Sequence, residues 1–309
     1  MSHLPRTVLL AVVYSLGLLL SPLQALATAI LVVVKTDGIY VGADGLRDVG
    51  SKEWFAVCKA HPVYGGVLLK YGSSQDYEKT YFTDNDVKSS IDSNKTFADF
   101  QKSVLDRLMK DAEINRISLI KHFREDVPQV FVGDTAPLEV MKVISALTET
   151  GLVFISAVDG KLRIQELLVS AAPEPVDEAN GIYRLVVTPA TWHMRDIKEE
   201  VLAYPASTLP LGKPPLDPMT QAGLIADPYP YHNVRNVLQQ FEIAKSCSIG
   251  DPLVVLRVTP MPLDPNKTQI TYDGYDSACQ PTGVDHWNAK PISKPDACHV
   301  PGASLLPPQ

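Results

Sequence analysis

The order of apolar and helical segments predicts an α+β fold in which two β-sheets pack together and helices cover their outer faces. Three observations lead to this prediction. After residue 27 the chain opens with four short strand-like segments, amphipathic helices follow, and later strand segments are separated by turn signals. An unspecified α+β domain stays open as an alternative, because element order alone does not choose between the two arrangements.

The first half of the chain is predicted to begin with a β-hairpin. Residues 29–34 form a continuous apolar run, and Thr36-Asp37-Gly38 predicts the turn into a return strand over 39–43. The later elements of this half are, in order, strands over 54–57 and 66–71 and helices over 73–81 and 96–111. The last of these is the clearest, because its apolar residues recur at three- and four-residue spacing.

The second half is predicted to contain a second hairpin around the turn Asp159-Gly160. Its elements are, in order, a strand over 128–132, an ambiguous segment over 137–147, strands over 152–157, 162–169 and 182–187, a helix over 194–203, a proline-rich loop over 205–230, a helix over 232–245 and a strand over 252–258. The sequence therefore predicts one domain over residues 28–259 and an irregular proline-rich tail over 260–309.

Residues 1–27 are predicted to be a secretory signal peptide. Arg6 gives a short positive segment, residues 7–20 are almost wholly apolar, and Ala25-Leu26-Ala27 has the small-x-small pattern of a cleavage site. Cleavage there makes Thr28 the first residue of a periplasmic or secreted protein that meets the membrane only through its signal. Two alternatives stay open: an uncleaved signal anchor, and cleavage at the overlapping pattern Ala27-Thr28-Ala29.

Charge and composition exclude some classes of partner. The formal net charge is −7, and loss of Arg6 with the signal makes it one unit more negative, which argues against a nucleic-acid partner. The scattered histidines and the four cysteines show no metal-site spacing, so no metal or cofactor is predicted. In an oxidising compartment Cys279 and Cys298 are the first candidates for a disulfide, and four free thiols are the alternative.

An N-terminal threonine brings a nucleophile and a base in one residue: its hydroxyl and its α-amine, whose pKa is about 7.7–8.0. A lysine lowers that pKa, a carboxylate holds the lysine, and backbone N–H groups stabilise the oxyanion. Candidates for these groups are Asp44, Lys59 and the segment Gly72-Ser73-Ser74. A two-residue turn at Asp37-Gly38 would place Thr28 opposite residue 47, three positions from Asp44.

The segment from Thr28 to Asp44 resembles the mature start of a proteasome β-subunit. Residues 58–62 are similar to that family's lysine segment, residues 70–74 to its glycine-serine turn into a helix, and residues 248–250 to a late serine-glycine turn. The resemblance implies the four-layer αββα sandwich of the N-terminal nucleophile (Ntn) hydrolases. It also implies roles for six residues: Thr28 as nucleophile and base, Asp44 and Lys59 as its tuning pair, Gly72 as oxyanion donor, and Ser73 and Ser248 as supporting groups.

The predicted function is that of an exported threonine hydrolase, a peptidase or amidase that acts on peptides or small amides through an acyl-enzyme on Thr28. The sequence leaves a homo-oligomer open. The alternative function is a non-catalytic, proteasome-like exported binding or structural protein. Lys245 motivates this alternative, because the family usually has an aspartate at that position. An unrelated exported binding domain is a third hypothesis.

Overall fold

The computed structural model describes residues 30–44, 46–48, 54–56, 58–72, 83–204, 216–244, 253–273 and 290–292. The fold is α+β, with antiparallel sheets and a few helices, as predicted. In the part of the chain so described, no helix is long and apolar enough to cross a bilayer.

Strands outnumber helices among these residues. The strands are β1 Ile30–Lys35, β2 Gly38–Asp44, β3 Leu46–Asp48, β4 Trp54–Ala56, β5 Ala60–Val63, β6 Gly66–Gly72, β7 Ala136–Pro137, β8 Thr150–Val158, β9 Lys161–Val169, β10 Ala171–Asp177, β11 Ile182–Val187, β12 His193–Arg195, β13 Glu200–Tyr204, β14 Leu253–Met261, β15 Asp264–Asp273 and β16 Lys290–Ile292. The helices are α1 Thr83–Ser93, α2 Phe97–Asp126, α3 Leu138–Thr148, α4 Pro218–Ala226 and α5 Tyr231–Ala244, with a 3₁₀ turn at Pro128–Val130.

Two five-stranded sheets form the centre of the molecule. The first sheet has the order β13-β1-β2-β14-β15, and the second sheet has the order β12-β9-β8-β6-β5. Two three-stranded sheets, β10-β11-β7 and β16-β4-β3, accompany them. The strand pairs are antiparallel, so short connections suffice for the hairpins β1–β2, β5–β6, β8–β9 and β14–β15.

The two five-stranded sheets share one apolar core. Alternate residues of β1, such as Val32 and Val34, meet alternate residues of the second sheet, such as Val67 and Leu69, and all four are at most 1% exposed. The remaining β1 side chains, Leu31 and Val33, belong to a different cluster. This division explains why residues 30–34 of β1 are all apolar: both faces of the strand are buried there.

Helices cover the outer faces of both sheets. On the first sheet, Leu31 and Val33 pack with Val234 and Leu238 of α5 and with Leu224 of α4. On the second sheet, residues of α1 and α2 pack against β6, β8 and β9; this cluster includes Val87, Phe100, Val104, Leu108, Leu68, Leu152 and Leu167. Helix α2 has 30 residues, so its later turns reach a further core with α3 and the sheet β10-β11-β7.

The first hairpin forms as predicted but with a different turn. Lys35 pairs with Gly38 and Ile30 with Ala43, so the two turn residues are Thr36 and Asp37, not Asp37 and Gly38. The numbers of paired residues therefore sum to 73, where the sequence prediction used 75. The shift moves the predicted neighbour of residue 28 from position 47 toward Asp44.

The predicted helix over 194–203 is wrong. This segment forms β12, which pairs with β9, and β13, which pairs with β1 at the edge of the first sheet. Leu202 and Tyr204 contact the shared core, whereas Val201 and Ala203 pack toward α4 and α5. The side chains thus alternate between two partly buried faces, and tertiary pairing overrides the local helical pattern.

Other differences lie in segments that were predicted to be irregular or were ambiguous. The loop over 205–230 contains α4, whose N-cap Asp217 accepts hydrogen bonds from the N–H groups of Met219 and Thr220. The tail predicted from residue 260 contains β15, which pairs with β14 over most of its length. Residues 128–130 form a 3₁₀ turn and not a strand, and residues 138–148 form a helix. The predicted helix over 73–81 lies outside the described residues.

Candidate functional site

Three of the predicted catalytic positions, Asp44, Lys59 and Gly72, lie in described parts of the chain. The predicted nucleophile Thr28, the supporting serines Ser73 and Ser248, and the predicted disulfide Cys279–Cys298 lie outside them. Their roles therefore stay predictions, and the geometry of the site is given for the described strand ends alone.

One end of the first sheet gathers the start of β1 and the end of β2. Ile30, the first residue of β1, pairs with Ala43 on one side and with Tyr204 on the other. Asp44, the last residue of β2, pairs with Leu253 at the start of β14. The chain therefore enters β1 at the same end of the sheet at which Asp44 lies.

One end of the second sheet gathers the other two positions. Gly72 is the last residue of β6 and pairs with Thr150 at the start of β8. Lys59 lies just before β5 and is 8% exposed, and its carbonyl accepts a hydrogen bond from the N–H of Lys70. Lys59 and Gly72 are thus near neighbours along the β5–β6 pair.

Two tyrosines join these two sheet ends. Tyr71 precedes Gly72 in the second sheet, Tyr204 lies opposite Ile30 in the first sheet, and their ring centroids are 5.1 Å apart. Both side chains are buried, and burial raises the pKa of each phenol, with further increases from Glu149 for Tyr71 and from the hydrogen bond to Glu166 for Tyr204. The contact places Asp44, Lys59 and Gly72 at the same end of the paired sheets.

Close packing requires glycine at two positions of this end, against backbone at one and against a side chain at the other. Gly72 has φ +83°, and a Cβ there would lie 2.2 Å from the carbonyl oxygen of Glu149. Gly151 lies opposite Tyr71, and a Cβ there would lie 2.0 Å from Cζ of the tyrosine ring. Gly151 thus makes the room that Tyr71 needs to reach Tyr204.

A polar network continues from Tyr204 between the sheets. Glu166 Oε1 accepts hydrogen bonds from the Tyr204 hydroxyl and, at 3.0 Å, from Arg195 Nε. Arg195 Nη1 lies 3.6 Å from Glu200 Oε2. The sequence analysis missed these residues, because Arg195 and Glu200 fall in the segment predicted as a helix and no local motif marks Glu166.

Replacement of Glu166 by alanine is expected to lower the free energy of unfolding by about 2–4 kcal/mol, because it leaves the buried Tyr204 hydroxyl without its acceptor and Arg195 with only the longer contact to Glu200. Glu174→Ala is the matched control. Glu174 also pairs with an arginine of the neighbouring strand, Arg184, but that pair is exposed and should contribute less than about 1 kcal/mol. Urea unfolding of both variants measures the difference, and equal losses would contradict a structural role of the network.

Cys58 lies directly before Lys59 and is 7% exposed in the shared core. It is disulfide-bonded, so the alternative of four free thiols is wrong for this residue. The predicted bond between Cys279 and Cys298 lies outside the described residues and stays a prediction. In the described part of the chain, no group of three or more histidine, cysteine, aspartate or glutamate side chains is placed to hold a metal ion.

Comparison with known proteins gives distant structural neighbours only. No family model matches the chain, and no curated protein matches it. The chain is similar to the Anbu (Gly-1) mutant from Hyphomicrobium sp. strain MC1, with TM-score 0.39, 11% identity and coverage of 80% of this chain and 87% of that one. It is similar to Anbu (ancestral beta-subunit) from Yersinia bercovieri, with TM-score 0.37, 9% identity and coverage of 79% and 86%.

These comparisons overturn the predicted family. The predicted resemblance to the proteasome β-subunit-like family is wrong, because no family model matches the chain and the solved structures named above are of Anbu proteins. The misleading signal was local: an apolar hairpin, a lysine segment and a glycine turn are common strand-and-turn patterns. At this level of similarity the neighbours carry no argument about activity.

Proposed function

We propose that the protein is an exported hydrolase of amide bonds that acts through an acyl-enzyme on an N-terminal Thr28. The observation that carries this proposal is the contact between Tyr71 and Tyr204, which joins the sheet end where β1 begins to the sheet end where Gly72 lies. A nucleophile at the start of β1 and an oxyanion donor at the end of β6 then face one region of the molecule.

The corrected hairpin register supports the same placement. Continued for two residues beyond the pair Ile30–Ala43, it sets residue 28 opposite residue 45, next to Asp44. The register predicted from the sequence set it opposite residue 47. In this register, the proposed nucleophile and the proposed carboxylate would lie closer together along the hairpin than in the register predicted from the sequence.

In the proposed reaction, the Thr28 hydroxyl attacks the carbonyl carbon of a peptide or small amide, and the Thr28 α-amine takes the hydroxyl proton. That proton passes to the leaving amine as the C–N bond breaks, and water hydrolyses the resulting ester. Lys59, held by Asp44, lowers the pKa of the α-amine by like-charge repulsion. The N–H of Gly72 stabilises the oxyanion, with Ser73 and Ser248 as supporting groups. No cofactor enters this scheme.

The proposal extends to the fold and the location. The shared core and the helices on both outer faces are the contacts expected of an αββα sandwich of the Ntn-hydrolase type. Removal of residues 1–27 as a signal peptide would deliver the domain to the periplasm or the medium and free the amine of Thr28 in the same step.

The test begins with the exported protein. Edman sequencing should start at Thr28, and a β-lactone probe should label that residue, as located by peptide mass spectrometry. Thr28→Ala should abolish labelling, whereas Thr28→Ser, which retains a hydroxyl nucleophile, should keep part of it. Each variant is also sequenced, so that a change in cleavage site is not mistaken for lost chemistry. An N-terminus at Ile30, or a retained signal, would exclude the mechanism.

A non-catalytic exported binding or structural protein is the second candidate. The observation that favours it is the burial of Tyr71 and Tyr204, which are 4% and 7% exposed and occupy the space where the sheet ends meet. Protein with an intact Thr28 terminus that no β-lactone or epoxyketone probe labels would support this candidate over the hydrolase.

A further inference from the structure

A covalent cross-link begins directly beside the proposed catalytic lysine. Cys58 is disulfide-bonded and lies in the core that the two five-stranded sheets share. The next residue, Lys59, is also buried, and its carbonyl accepts a hydrogen bond from the N–H of Lys70 in β6. The partner of Cys58 is one of the three cysteines that follow helix α5, all outside the described residues: Cys247, Cys279 and Cys298.

The segment that carries Cys279 has its far end beside Cys58. Residues 274–289 separate β15 from β16, and Lys290, the first residue of β16, pairs with Ala56 of β4. Cys58 is two residues beyond Ala56, which is a distance of at most about 7 Å. Paired residues of antiparallel strands lie about 5 Å apart. The chain that follows Cys279 therefore arrives within about 12 Å of Cys58.

The near end of the same segment lies at the end of the first sheet where β14 begins. Asp273, the last residue of β15, pairs with Val255 of β14, and the adjacent Val254 belongs to the same core cluster as Cys58. Cys279 is six residues after Asp273, and six residues span at most about 20 Å. A disulfide needs Cα atoms about 4.4–6.8 Å apart, and the positions of both ends of the segment allow this approach.

The other two cysteines start from less favourable positions. Strand β16 is antiparallel to β4, so the chain that leads to Cys298 leaves β16 at Ile292, opposite Trp54, in the direction away from Cys58. Cys247 is three residues after the end of α5, and three residues span at most about 11 Å. Helix α5 packs on the outer face of the first sheet, whereas Cys58 lies in the core on its inner face. The described strands therefore favour Cys279 as the partner.

We propose that Cys58 and Cys279 form a disulfide that ties the Lys59 segment of the second sheet to the chain that leaves the first sheet, in place of the predicted pair Cys279–Cys298. Two cysteine thiols and the disulfide of oxidised glutathione give this bond and two glutathione thiols. An oxidising compartment supplies such an oxidant. The bond holds Lys59 in position, and only the catalytic use of that position rests on the proposed function.

Peptide mapping of the exported protein without reduction tests the pairing. Free thiols are alkylated in denaturant, and chymotrypsin then cleaves after Tyr275 and Trp287, which separates Cys279 from Cys298. The expected result is a linked mass of the peptides 56–64 and 276–287 that separates on reduction. A link from Cys58 to another cysteine, or an alkylated Cys58, would overturn the proposal.

Cys279→Ser and Cys298→Ser are a matched pair of variants. Only Cys279→Ser should free the Cys58 thiol, so that a maleimide modifies it in denaturant. Amide hydrogen exchange of residues 58–61 should become about tenfold faster in this variant, because loss of a cross-link loosens the segment that it holds. Exchange there should keep the wild-type rate in Cys298→Ser, and equal rates in the two variants would contradict a role of the bond in holding this segment.

The outcomes separate this inference from the proposed function. If a β-lactone labels Thr28, Cys279→Ser should raise the pH at which labelling is half-maximal, because a displaced Lys59 lowers the pKa of the α-amine less. An unchanged pH profile would overturn the positioning role. A Cys58–Cys279 bond in a protein that no probe labels would count against the hydrolase and leave the disulfide standing, and labelling without this bond would do the reverse.

Discussion

Replacement of Gly72 by alanine is expected to lower the free energy of unfolding by about 3–5 kcal/mol. The new Cβ would lie 2.2 Å from the carbonyl oxygen of Glu149, 2.9 Å from its carbonyl carbon and 3.0 Å from Cα of Thr150. These are backbone atoms of the adjoining β8 segment, so no side chain can swing away. The positive φ of +83° adds about 1–3 kcal/mol of backbone strain, and overpacking adds a similar amount.

Gly133→Ala is the matched control for this expectation. Gly133 also has a positive φ, +64°, but a Cβ there would meet no atom within 4 Å. In Gly133→Ala the free energy of unfolding should therefore fall only by the cost of the backbone conformation, about 1–2 kcal/mol. Urea unfolding followed by circular dichroism compares the two variants, and equal losses would show that the close approach to Glu149 does not constrain Gly72.

The same geometry limits what activity measurements can say about Gly72. A side chain is excluded there by the approach of β8, whatever the chemistry of the site. Lost activity in Gly72→Ala would therefore not identify Gly72 as the oxyanion donor. The probe experiment on Thr28 is informative because it locates the labelled residue directly and forces no two backbones apart.

The strands that are buried on both faces could be predicted from the sequence. Residues 30–34 are a continuous apolar run because one set of side chains packs on the second sheet and the other packs on α4 and α5. The apolar runs in β6 and β14 are of the same kind. By contrast, β13 was predicted as a helix, because the pattern of a short strand that packs on both faces also fits one side of a helix.

The sequence predicts only in part which residues the fold brings together at the candidate site. The hairpin brings Asp44 to the end at which β1 begins, and local sequence is enough for that. The contact of Tyr71 with Tyr204 and the hydrogen bonds of Glu166 join residues about 30 to 130 positions apart, and their partners depend on how the two sheets pack. Only Gly151, whose lack of a side chain admits the Tyr71 ring, leaves a trace in the sequence, and a lone glycine has many other uses.

Asp111→Asn is expected to stabilise the protein at pH 8 and to change its stability little near pH 4. Burial raises the pKa of Asp111 from 3.8 to about 7, against the opposing charge of Lys70. The folded protein therefore binds this proton more tightly than the unfolded chain does, so the contribution to stability is present below about pH 4 and is lost as the pH rises to about 7.

The full shift of about three pK units corresponds to about 4 kcal/mol, and relaxation around Lys70 should reduce the measured loss to about 2–3 kcal/mol. Asparagine keeps the shape of the protonated side chain and cannot ionise, so the variant should keep most of this stability at pH 8. Urea unfolding at pH 4, 6 and 8 measures the stability difference between wild type and Asp111→Asn. Asp86→Asn is the control, because it removes a carboxylate that is paired with an arginine, Arg107. A stability difference between wild type and Asp111→Asn that is the same at all three pH values would show that folding does not raise the pKa of Asp111.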